Sequence, residues 1–117
     1  MNQERAERGL VRLHMEERLR MSSRHHSQDM AARSFFAHLS PDGGTPDERM
    51  LAAGYQYPAA ENIAIFEPNA MAVVRAWMNS PGHRVNILHP HVRAIGVGMF
   101  LDARTRLAWW TQNFGYV

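Results

Sequence analysis

Three separated segments carry side chains able to do acid-base or metal chemistry: Phe36-Ala37-His38, Glu61-Asn62-Ile63-Ala64 and Ser80-Pro81-Gly82-His83-Arg84. Two neutral imidazoles and a carboxylate, here His38, His83 and Glu61, make a ligand set for an open zinc site with water in the remaining position. Calcium and magnesium, which prefer oxygen ligands, suit the set poorly. The same three groups can serve acid-base catalysis if they meet in a cleft. Ser80 adds the parts of a Ser-His-Glu triad. Against that, serine before proline is a ready helix N-cap, its hydroxyl accepting from the amide of Gly82 or His83. No Gly-x-Ser-x-Gly elbow surrounds it.

Glu61 stands among alanines and isoleucines, where a carboxylate is costly unless paired or hydrogen-bonded. Either it accepts hydrogen bonds from His38, His83 or backbone and locks its strand, or it awaits a divalent cation. Arg84 and Asn86 flank His83 and are expected to tie its loop down, and Asn62, beside Glu61, is expected to support the site. Glu48 already has a structural task in the capping box begun by Thr45-Pro46. His25 and His26 are adjacent on a helix and cannot face one ligand together; His26 reads as a satisfied core histidine. His89-Pro90-His91 reads as an extended surface loop.

The elements that must position these groups follow from pattern. A short helix is expected over residues 2–8, stopped by Gly9. Met15, Leu19, Ser22, His26 and Met30 recur at a helical period and predict a helix from about 15 to 33. Pro41-Asp42-Gly43-Gly44 is a turn, followed by a helix that Gly54 ends. Residues 58–66 read as extended, Pro68-Asn69 leads into a helix through Val73, Val74 and Trp77, and two strands, roughly 93–101 and 107–114, close the chain. Alternation puts Trp109 and Trp110 on opposite faces, with one expected in the core and the other free to meet a partner. Helices followed by a late hairpin indicate an α+β domain.

At 117 residues, with neither linker nor repeat, the chain reads as one domain, 1–117. There are no cysteines, which excludes disulfides and thiolate metal sites. All 13 basic residues are arginine, but 11 acidic residues nearly balance them. Basic and acidic side chains alternate in the first third, with Glu4 and Arg8, and Glu16 and Arg20, at i,i+4 spacing. This is a solvated, ion-paired face and not the basic patch of a nucleic-acid binder. No stretch is apolar for long enough to span a bilayer, and Met1-Asn2-Gln3-Glu4-Arg5 lacks the apolar core of a signal peptide.

The order and wording of the motifs resemble the CAP superfamily (cysteine-rich secretory proteins, antigen 5, pathogenesis-related 1), especially its short, cysteine-free prokaryotic branch with an SCP-like domain. The strings that carry the resemblance run nearly end to end. They include Phe35-Phe36-Ala37-His38-Leu39-Ser40-Pro41-Asp42-Gly43, Arg49-Met50, Glu61-Asn62-Ile63-Ala64, Ala76-Trp77-Met78-Asn79-Ser80-Pro81-Gly82-His83-Arg84-Val85-Asn86, Ile95-Gly96-Val97-Gly98 and Trp110-Thr111-Gln112-Asn113-Phe114-Gly115. The resemblance implies a three-layer α-β-α sandwich with a mainly antiparallel sheet and a cleft lined by His38, Glu61, Ser80 and His83. Larger eukaryotic members carry a second acid just past the tryptophan matched by Trp77, where this chain has Ser80. The missing carboxylate implies weak zinc binding at His38, Glu61 and His83.

The resemblance further implies a secreted or envelope-held binding module for lipids, peptides or cell-envelope components, with no one reaction attached. The absence of a leader in these residues leaves two expectations, a leader removed or a member that stays inside the cell. A zinc-assisted hydrolase using the same cleft is the alternative reading, with Glu61 or an imidazole handling the proton. A structural or assembly protein, with the cleft as a buried polar lock, is the third.

Overall fold

The computed structural model describes residues 1–117. Five helices, α1 (Asn2–Ala6), α2 (Glu17–Arg33), α3 (Pro46–Ala52), α4 (Ala70–Met78) and α5 (Pro81–Ile87), accompany four strands, β1 (His14–Met15), β2 (Pro58–Ile65), β3 (Ala94–Leu101) and β4 (Ala108–Gly115). The strands form one mixed sheet in the order β1-β3-β4-β2, with β1 parallel to β3 and the other pairings antiparallel. Pattern reading located β2, β3 and β4 to within a residue or two. It missed β1, which is too short to carry a period.

Alternation along β4 divides the protein into layers. Trp110 and Phe114 face Val73 and Trp77 of α4 and Ile87 of α5 in the larger core cluster. Trp109 packs instead with Met30 and Ala31 of α2. The two tryptophans do lie on opposite faces, but both are buried, which corrects the expectation that one is free for a partner. A helix layer on each side of the sheet covers both indoles. Trp110 Nε1 donates to the Glu67 carbonyl at 2.8 Å, whereas Trp109 Nε1 has no partner.

The α2 helix begins at Glu17, and Met15, expected on its inner stripe, is exposed in β1. The buried stripe is mainly small and polar: Leu19, Ser22, Ser23, His26, Ser27, Met30 and Ala31. Small side chains suit a helix lying almost directly on strand backbone. Ser23 and Ser27 donate to the carbonyls of Gly96 and Gly98, each at 2.9 Å. A Cβ at either glycine would collide with the backbone of α2. The helix ends at Ser34 in the left-handed conformation, φ 54°.

Other terminal signals held. Thr45 and Glu48 form the expected capping box on α3, and Asn69 caps α4. The α1 helix stops at Ala6, and the chain then turns through Gly9 at φ +70°. Glu4 pairs with Arg8, but Glu16 turns to Arg18, at 2.8 Å, and leaves Arg20 to Glu17. The nearer partner closes the shorter loop of side chain.

Candidate functional site

Antiparallel pairing sets Glu61 opposite Asn113 and Asn62 opposite Gln112. Because successive residues face opposite sides of a strand, the two neighbours Glu61 and Asn62 anchor two polar networks, one on each face of β2. The first runs from Ser22 Oγ to Asn113 Oδ1 at 2.6 Å, then from Asn113 Nδ2 to Glu61 Oε2 at 2.9 Å. Glu61 Oε1 lies 2.9 Å from His38 Nδ1, and Arg49 Nη2 donates to both carboxylate oxygens at 3.1 and 3.0 Å. Arg49 also donates to the carbonyls of His38 and Gly44 and to Ser40 Oγ, so one guanidinium braces the acid and the loop that carries His38.

The second network secures α5 against the sheet edge. Asn62 Nδ2 donates to Gln112 Oε1 at 3.0 Å and to the His83 carbonyl at 3.2 Å. Asn86 Nδ2 donates to Asn62 Oδ1 at 2.8 Å and to the Glu61 carbonyl at 3.3 Å. Asn86, together with Asn62, thus ties α5 to β2. Arg84 does not: its side chain is exposed and takes part in none of these bonds.

Ser80 precedes α5 in an extended conformation but gives the helix no side-chain cap. Its hydroxyl lies 2.9 Å from His83 Nδ1, while its carbonyl accepts from the amides of His83 and Arg84. This corrects the expected cap. An imidazole on the first turn is a competing partner, and it takes the hydroxyl that the amides would otherwise use.

The structure therefore joins His38 to Glu61 and Ser80 to His83, in two pairs on either side of the β2 edge. His83 makes no bond to Glu61, so a Ser-His-Glu relay is not assembled. The pairs are close enough to interact electrically: burial and the charge of His38 both lower the pKa of His83. Burial opposes ionisation of Glu61, but the His38 hydrogen bond and the Arg49 charge outweigh it, and the pKa falls below the ordinary carboxylate range. Glu61 is an anion with a 1% exposed side chain, whereas the His38 side chain is 49% exposed.

As a metal ligand set these residues fit poorly. No group of three or more histidine, aspartate or glutamate side chains is disposed to hold an ion. Both Glu61 oxygens already face a guanidinium, whose charge repels a second cation. Arg49, Asn113 and Gln112 were missed as site residues by sequence reasoning. The available signal was the run Thr111-Gln112-Asn113, three polar residues inside an otherwise apolar strand, all of them buried.

His26 is buried and interacts with the same charges. Its Nε2 lies 2.9 Å from the Ala37 carbonyl, and burial lowers its pKa despite the nearby Glu61. It is only half satisfied as a core histidine, because Nδ1 has no partner; Arg49 Nε is likewise unpartnered. Each such orphan costs about 1–3 kcal/mol when nothing occupies the space beside it. His89 and His91 form a turn and not an extended loop, with the His91 amide donating to His89 Nδ1 at 3.0 Å.

Comparison with known proteins places this arrangement. The model of the cysteine-rich secretory protein family, CAP, matches residues 1–114. The protein YkwD of Bacillus subtilis (strain 168) is 44% identical over 114 residues, 97% of this chain and 43% of the relative. The membrane protein YlbC of the same organism is 32% identical over 94% of this chain and 30% of its own length. The chain thus spans less than half of either curated relative. Among solved structures, an extracellular protein from Bacillus anthracis containing an SCP domain superposes with TM-score 0.90 at 30% identity, covering 99% of this chain and 37% of that one. An outer surface protein of Borrelia burgdorferi shares the fold, with TM-score 0.82 at 19% identity over 97% of this chain and 84% of that one. Matched by the family model over nearly its whole length, the chain belongs to the cysteine-rich secretory protein (CAP) family.

Proposed function

We propose that this domain is a binding module whose ligand, a lipid, a peptide or a component of the cell envelope, docks in the cleft of His38, Ser80 and His83, with Glu61 buried behind His38 as its orienting acid. The observation that carries the reading is the occupation of the Glu61 carboxylate by Arg49, Asn113 and His38. An acid held on all sides orients an imidazole and is not free to act as a base. His38 engages Glu61 through Nδ1, which leaves Nε2 of the half-exposed ring for a polar group of the ligand. Phe36 and Leu39 near His38, and Val85 beyond His83, are exposed. An apolar rim beside polar imidazoles suits an amphipathic ligand. The extracellular protein of Bacillus anthracis that shares this domain supports a place outside the cell or at its envelope.

NMR titration with phospholipid vesicles, a peptide library and solubilised envelope fragments tests the reading. One of these should perturb His38 and His83 resonances saturably, and His83→Ala should abolish the effect. Perturbation only at a distance from both histidines would reject it.

The contact between Ser80 Oγ and His83 Nδ1 favours a hydrolase as the second reading. We expect no labelling by a serine-reactive phosphonate, because no acid orients His83. Stoichiometric modification of Ser80, lost in His83→Ala, would make the protein an enzyme. For the zinc-assisted variant, calorimetric titration should show no zinc binding that depends on His83. Binding lost in His83→Ala would restore that mechanism.

A further inference from the structure

No aspartate or glutamate occurs from Pro68 to Leu101, the stretch that holds α4, α5 and β3. Several arginines of the rest of the chain find carboxylates: Arg8 pairs with Glu4, Arg20 with Glu17, Arg33 with Asp29 and Arg49 with Glu61. Arg75 of α4 and Arg84 of α5 are exposed and pair with none. Both line a groove of about 580 Å³ between α1 and α4, with Glu4 and Arg8 on its α1 side. The Glu4–Arg8 pair is closed on itself at 3.3 Å, so the two free guanidinium groups set the sign of the groove.

The floor between these charges is apolar. Val73 and Trp77 turn the inner face of α4 to the core. Met71, Val74 and Met78, at i, i+3 and i+7, form a second stripe that lines the groove. Arg75 is the one charged residue among the nine of α4, and Met71 is 72% exposed. A surface helix normally turns a polar face to water, whereas this one is apolar on a face that nothing in the chain covers. Thioether side chains are flexible and polarizable, which lets such a stripe fit partners of varied shape.

Charge and shape together select the occupant. A basic partner would meet two unpaired arginines, and a purely apolar one would leave them without counterions. A flat anionic surface such as a membrane could reach Arg75 and Arg84 but not the half-buried floor at Val74 and Met78. A peptide segment that carries carboxylates beside apolar side chains satisfies both parts of the groove.

We propose that the groove between α1 and α4 docks an acidic, amphipathic segment of a partner protein, whose apolar side chains pack on Met71, Val74 and Met78 while its carboxylates pair with Arg75 and Arg84. None of His38, Glu61, Ser80 and His83 lines the groove, so its occupation does not depend on what the cleft binds.

The test is NMR titration of the whole chain, labelled with carbon-13 at the methionine methyls, with a peptide of repeated Leu-Glu-Glu-Leu units, its glutamine counterpart, and phosphatidylglycerol vesicles. The Met71 and Met78 methyls should shift saturably with the acidic peptide, while Met30 and Met50, buried elsewhere, stay in place. The glutamine peptide should bind about tenfold more weakly or worse, and added salt should weaken the acidic one. Arg75→Glu, at an exposed position, should lower affinity by about tenfold or more. Arg24→Glu makes the same change of net charge on α2, across the sheet, and should leave binding nearly unchanged. Equal losses in the two variants would mean nonspecific attraction and overturn the proposal. So would equal binding of the two peptides, a response to vesicles alone, or no shift at millimolar peptide. Methyl shifts that vary with protein concentration alone would put a second copy of the chain in the groove and overturn it as well.

Discussion

Glu61 shows how one buried charge organises a site. Its carboxylate is stabilised by a guanidinium, an imidazole and an amide, so removing it leaves the Arg49 charge, itself only 15% exposed, without a counterion. Glu61→Ala should therefore cost about 3–5 kcal/mol in denaturant unfolding, the range for breaking a buried pair. Glu61→Gln, which keeps acceptor and shape, should cost less. The acid response has two stages. His26 and His83 have pKa values lowered by folding, so the unfolded chain takes up protons first and stability declines as pH falls below about 6.5. The Glu61 pKa is also lowered; its contribution is fully present above the ordinary glutamate value and is lost below about 4.5 as pH falls through the folded value. Melting temperature measured against pH should show both declines, and Glu61→Gln should flatten only the second.

At the scale of elements, the contact between α2 and β3 decides the architecture. Gly96 and Gly98 let helix backbone approach strand backbone, and the serines of α2 donate into the gap. Gly96→Ala would force the layers apart and should exceed the about 1–3 kcal/mol typical of overpacking, because backbone and not a flexible side chain must move. Gly82, in α5, meets nothing within 4 Å, so Gly82→Ala should be neutral or stabilise by about 0.4–1 kcal/mol. Thermal unfolding of the two variants should separate in opposite directions. The same closeness explains the weakly amphipathic sequence of α2. A helix that rests on glycine hides its inner face with serine and histidine, so hydrophobic period alone placed its start two residues early.

Across the whole molecule, the first helix is tied to the segment that joins α5 to β3. Arg5 is fully buried, and its guanidinium donates to the carbonyls of Val11, Ile87 and His89 at 2.8, 2.9 and 2.8 Å. These bonds join residues 82 and 84 positions apart, closing the chain on itself without a disulfide. Arg5→Met fills much of the space but leaves the buried Ile87 carbonyl and the part-buried carbonyls of Val11 and His89 without this donor, and should cost about 1–3 kcal/mol. Arg5→Lys should recover only part of that loss, since a single ammonium cannot match the fork of the guanidinium. Guanidinium chloride midpoints measured for the three proteins check the order.

Local rules sufficed wherever a residue's task is set by its neighbours in the chain. The capping box at Thr45 and Glu48, the helix entry at Pro68-Asn69, the turn at Pro41–Gly44 and the alternation of β4 are all of this kind, and motif order pointed to the fold. Most contacts of Glu61 and its partners lie beyond such rules, because they join residues 12 to 91 positions apart. That His38 meets Glu61 while His83 turns to Ser80 depends on strand register and on the edge position of β2. That Arg49 occupies both oxygens of the acid depends on the packing of α3 beside that strand. Sequence supplied the ionisable groups. The tertiary packing determined which of them share a proton and which stay apart, because pairing energy depends on distance and burial, and neither is a property of spacing along the chain.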